Sequence, residues 1–157
     1  MKRSTSGTWT GVLCGLWVLA GLAIAPIAVA ADDAAVNEGV QITIMMFSGR
    51  ENPTFVVSDA SELQAVMGSL REARTVVDRD GTVLPSRLGY AGLILDNVGE
   101  VSGLPQQLRV YRNQIELRDE TVTFAEDDGA LERTVLQYAV AHEALDDEML
   151  KFIWADD

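Results

Sequence analysis

The 157-residue chain has one cysteine, Cys14, and one histidine, His142. A disulfide framework is therefore excluded, as is any catalytic or metal centre that needs several Cys or His side chains. Positive charge is scarce too: 12 Lys and Arg stand against 24 Asp and Glu, a formal charge of −12. Phosphate backbones and anionic lipid surfaces repel such a chain, which argues against nucleic-acid binding and against membrane binding by the folded domain. An excess of acid is otherwise a solubility device. No G-x-S-x-G elbow occurs, so no serine has motif support as a nucleophile. Internal repeats and low-complexity tracts are missing as well, and the length suits about one domain.

Lys2 and Arg3 open the chain, an uncharged stretch follows from Ser4 to Ala31, and Ala28-Val29-Ala30 precedes the acids Asp32 and Asp33. A positive start, an apolar middle and a small-residue cleavage site are the parts of a secretory signal peptide, expected here over residues 1–30. The alternative is an uncleaved anchor, since the apolar stretch approaches the roughly 20 residues that span a bilayer. Leu13 before Cys14 is wrong for a lipoprotein, and Lys2-Arg3 is not the arginine pair of the twin-arginine route, so general secretion to the periplasm or exterior is expected. Cutting 30 residues from 157 leaves 127, with 10 cations against the same 24 acids and no cysteine. Thiolate chemistry is then closed to the mature chain.

Residues 31–39 are small, polar and acidic and read as a flexible leader to a single domain over 40–157. Val40 to Met45 alternates as a half-buried strand, and Thr54 to Val57 resumes an extended segment after the breakers Gly49, Asn52 and Pro53. Asp59, with Glu62 three residues on, forms a capping box for a helix carrying Leu63, Val66, Met67 and Leu70 and ending near Arg74. Leu88 to Leu95 reads as a central strand, apolar on both faces. Gln107–Tyr111 and Gln114–Leu117 form a hairpin turning at Arg112-Asn113, and Thr121 to Phe124 adds an edge. Asp128 caps a second helix whose packing face holds Leu131, Val135, Tyr138, Ala141 and Leu145, with a short last helix after Asp146. This order predicts an α+β two-layer sandwich, a mostly antiparallel sheet with two main helices on one face.

Two strings are the densest in information. In Ser48-Gly49-Arg50-Glu51-Asn52-Pro53, Gly49 can bare its amide, Arg50 offers a forked donor and Pro53 restrains Asn52, a set suited to a carboxylate or phosphate. The plain alternative is a tight strand connection. In Leu88-Gly89-Tyr90-Ala91-Gly92, two glycines admit close approach around a phenol, so Tyr90 could join Arg50 if the two strings lie together. The candidate ligand-binding residues are thus Ser48, Gly49, Arg50, Asn52 and Tyr90.

His142-Glu143 shares only the first two letters of the zinc helix H-E-x-x-H, with Asp146 where the second His would stand. No metal is expected, and His142 with Asp146 is the one weak alternative. Asp78 to Gly81 lacks the closing ligands of a calcium loop, and adjacent Met45 and Met46 point to opposite sheet faces, so neither makes a metal site. The sequence therefore predicts an exported binding or interaction module without cofactor, taking an anionic small molecule or a protein partner in the cell envelope. Its rivals are a metal-dependent envelope hydrolase and a structural accessory subunit. Catalytic residues are not identifiable.

Overall fold

Seven strands and three helices follow from these patterns in a computed structural model that describes residues 39–46, 49, 51–77 and 79–155. The expected signal peptide, leader residues 31–38, and Phe47, Ser48, Arg50 and Asp78 lie outside the described residues. In chain order the elements are β1 (Val40–Met45), β2 (Thr54–Val57), α1 (Ala60–Glu72), β3 (Arg74–Val76), β4 (Gly92–Asp96), β5 (Gln107–Tyr111), β6 (Gln114–Arg118), β7 (Val122–Glu126), α2 (Ala130–Ala141) and α3 (Asp147–Ala155). The strands form one sheet in the order β2-β1-β4-β5-β6-β7-β3, with every pairing antiparallel. This is the α+β sandwich that the alternation of strand and helix periods calls for.

The register puts Ile44, Leu93, Val110, Ile115 and Ala125 in one row across the sheet, and all five are buried. They pack with Leu131, Val135, Leu136 and Ala139 of α2 and Ile153 of α3 into the main core. Burying one such aliphatic side chain contributes about 1.5–3 kcal/mol. Asp59 caps α1 through Oδ1, which accepts from the amides of Ser61 (2.8 Å) and Glu62 (3.2 Å). Those bonds, with the Ser61 hydroxyl as the largest contributor, hold the Asp59 carboxyl below its ordinary pKa. At α2 the cap is shared: Asp127 Oδ2 accepts from Leu131 N and Asp128 Oδ1 from Ala130 N, while Gly129 occupies the N-cap. Among the described residues no helix is long and apolar enough to cross a membrane.

Three boundaries differ from the sequence reading. The first helix stops at Glu72, and Arg74 enters strand β3, where its guanidinium meets Glu126 at 3.3 Å instead of the helix end. The strand expected from Leu88 begins at Gly92, because residues 88–91 round the end of the sheet before pairing starts. The second helix ends at Ala141, so Leu145 reaches the core from the turn beyond it.

The opposite face of the sheet carries a second row, Thr43, Ile94, Arg109, Glu116, Phe124 and Val76. Alternation alone would leave this row wet. Instead residues 79–91, the connection from β3 to β4, run across it. Arg79 donates to Gln114 Oε1 at 2.7 Å and lies over the Phe124 ring, Val83 is buried, and Arg87 donates to the Tyr111 hydroxyl at 3.2 Å. Glu116 is consequently fully buried.

Candidate functional site

At one end of the sheet the last residue of β1, Met45, pairs with Gly92, and its carbonyl accepts from Ala91 N at 2.7 Å. The end of β1, from which the first string departs, is thereby joined backbone to backbone with the end of the second. Gly92 makes this approach possible: its φ is +110°, and a Cβ there would lie 2.4 Å from Val110 O and 2.8 Å from Leu84 Cδ2. Only glycine tolerates both conditions.

Asn52 closes the β1–β2 loop from within. Its Oδ1 accepts from Met46 N at 2.9 Å, its Nδ2 approaches Met45 Sδ at 3.7 Å, and Pro53 O accepts from Ile44 N at 2.9 Å. An Asn side chain standing in for a backbone partner in this way is ordinary turn chemistry. Asn52 therefore shapes the loop. At the tip, Gly49 is exposed, has φ +83° and has no atom within 4 Å of where a Cβ would project.

Tyr90 is fully buried, and its hydroxyl donates to Glu132 Oε1 at 2.6 Å. Glu132, itself buried in the first turn of α2, also accepts from Arg112 N at 3.0 Å with the same oxygen. Burial raises the phenol's pKa well above its usual range, and the Glu132 charge and hydrogen bond push it the same way. Tyr90 thus acts as a core aromatic that anchors residues 88–92 to the helix layer, and the expectation of a phenol lining an open cleft with Arg50 is corrected. The sequence offered little sign of Glu132, an acid in an acidic first turn that looked ready for water.

Beside this pair, Arg112, Asn113, Asp128, Arg133 and Trp154 border an open depression of about 260 Å³ reached by Glu132. Arg133 is engaged there with Asp128, donating to its carbonyl at 2.8 Å and facing its carboxylate at 3.4 Å. At the other end of the sheet, the β4–β5 connection forms a shallow groove of about 580 Å³ bounded by Asn97, Glu100, Leu104 and Asp119. Asn97 organises it, donating to Val101 O and Leu104 O and accepting from Val101 N at 2.8 Å.

His142 and Asp146 are separated by the end of α2 and share no helical face. His142 is the C-cap residue; its Nε2 lies 3.0 Å from Glu62 Oε2 and its ring packs on Phe55 with centroids 5.3 Å apart. Glu143 then turns the chain with φ +58°, and Asp146 Oδ1 accepts from Met149 N at 2.7 Å at the start of α3. The imidazole is thus spent on Glu62 and Phe55, and the Asp146 carboxylate on the first turn of α3. Among the described residues no three His, Cys, Asp or Glu side chains are gathered to hold a metal ion. No family model matches the chain, and no curated protein or solved structure matches it.

Proposed function

We propose that this chain is an exported binding module, delivered to the periplasm or the exterior by its N-terminal signal, which presents the β1–β2 loop to an anionic group or a partner segment through Arg50. The observation that carries the reading is the backbone junction at Met45, where Ala91 N and Gly92 tie the second distinctive string to the base of the first. The residues flanking Arg50 are held, Met46 by the Asn52 side chain and Met45 by its pairing with Gly92, and a donor carried on held flanks loses less entropy on binding. The exposed tip at Gly49 leaves room for a ligand to approach the backbone. Tyr90 serves the site indirectly, fixing residues 88–92 through Glu132.

The test is native mass spectrometry of the protein purified from its own envelope without chelators, wild type beside Arg50→Ala. The expected result is a 127-residue chain carrying an added mass that disappears in the variant, with the melting temperature unchanged within about 1 °C. Retention of the mass in the variant, or a large loss of stability, overturns the assignment of Arg50. A mature mass that keeps residues 1–30 overturns the export reading.

A further inference from the structure

We propose that residues 79–91 form a strap that opens from the outer face of the sheet as one unit, latched by the internal carboxylate of Glu116 and tethered at its far end by Tyr90. Within residues 79–91 only Val83 and Tyr90 are buried. The strap therefore has two deep attachments, and they differ in kind.

At Tyr90 the attachment is to the helix layer: the ring sits in the main core and its hydroxyl is bonded to Glu132. At Val83 the attachment is to one side chain of the sheet. Glu116 Oε2 accepts from Val83 N at 3.0 Å and from Thr82 Oγ1 at 2.7 Å. Its Oε1 is held by Arg118 Nε, with Arg109 Nη1 3.9 Å away. Each carboxylate oxygen thus has a separate task, one toward the sheet and one toward the strap. Bonds to a charged acceptor are the stronger kind, and this acceptor stays paired to Arg118 when the strap leaves.

The rest of the strap is loosely held. Arg79 and Arg87 make polar contacts at its flanks, and Leu88 is 79% exposed. A segment with few buried apolar contacts, spanning 13 residues without a helix or strand of its own, belongs to the low-stability end of local opening. Opening it would uncover the strip of Arg109, Glu116, Arg118, Gln114 and Tyr111 while leaving the helix-side core packed.

Hydrogen exchange of the full mature chain tests this, comparing wild type with Glu116→Gln and with Thr82→Val. Thr82 is exposed, so its replacement does not threaten folding. The expected result is that in the wild type residues 79–88 exchange through an opening of lower free energy and weaker denaturant dependence than Leu131 to Ala139, and that exchange at Val83 and across residues 79–88 is about tenfold faster in Glu116→Gln and several-fold faster in Thr82→Val. If strap and α2 share one opening free energy and one denaturant dependence in the wild type, the strap is part of the global unit and the proposal fails. If neither variant changes strap exchange, Glu116 is not the latch and the proposal fails equally.

Discussion

Tyr90 donates to Glu132 across 2.6 Å, a bond between the end of the strap and the first turn of α2. Through the same carboxylate oxygen Glu132 also holds the amide of Arg112 in the β5–β6 turn, so one buried acid joins three segments distant in sequence. Replacing Tyr90 with Phe removes a hydroxyl and leaves a buried carboxylate short of a donor. The expected loss is about 1–3 kcal/mol of unfolding free energy, read from urea denaturation at constant m-value.

Glycine positions should separate sharply. Gly92→Ala places a Cβ 2.4 Å from a backbone carbonyl at φ +110°, and the backbone at the β4–β5 pairing cannot move aside cheaply. A loss of about 4 kcal/mol or failure to fold is expected. Gly49→Ala meets no atom within 4 Å and should cost only the left-handed backbone, about 1–2 kcal/mol. Thermal melts of the two variants give the comparison directly, and equal costs would contradict the packing at Gly92.

Stability should fall at both extremes of pH, for opposite reasons. Burial acts to raise the Glu116 pKa, but the bonds from Thr82, Val83 and Arg118 together outweigh it and hold the carboxyl below its ordinary value; the Arg118 charge adds to them. The facing charged groups are the cations Arg109 and Arg118. A depressed folded pKa means stability present above the ordinary carboxylate range and lost as pH drops through the folded value, from about pH 4.5 downward. Tyr90 is the reverse case: its folded pKa is raised, so stability is intact below about pH 10 and lost as pH climbs beyond it. Each group contributes a slope of up to about 1.4 kcal/mol per pH unit in its window. Tyr90→Phe should flatten the alkaline limb alone, and Glu116→Gln the acid limb alone.

His142→Ala and chelation form a paired prediction. The histidine joins α1 to the end of α2 through Glu62 and stacks on Phe55 at a half-open surface, so its removal should cost about 1 kcal/mol or less. Treatment with EDTA should leave the melting temperature of the wild type unchanged. A chelator-induced shift that vanishes in His142→Ala would revive a metal site at this residue.

Local patterns made much of the fold legible. The N-cap at Asp59, the alternation of β1 and the hairpin turning at Arg112-Asn113 are interactions between residues near in sequence, and they lie where the letters place them, while the Glu62 carboxylate expected to complete a capping box meets His142 instead. What stayed hidden depends on long-range cover. Glu116 sits between Ile115 and Leu117 in a strand whose alternate face should be wet, and it is buried because a connection carrying Val83, 33 residues earlier, crosses it. Glu132 is hidden for the same reason, its partner Tyr90 arriving from 42 residues away. The adjacency of the two distinctive strings rested likewise on the pairing of β1 with β4, which spacing along the chain does not encode.

The strand order also governs when this chain can take shape. Beyond the β1–β2 hairpin, β1 waits for β4, and among the described residues β3 pairs with β7 alone, so the sheet cannot close before β7 has been made. Such non-local pairing is slow to form. Under the proposed export, such a delay would let the thread pass a narrow translocation channel before it folds.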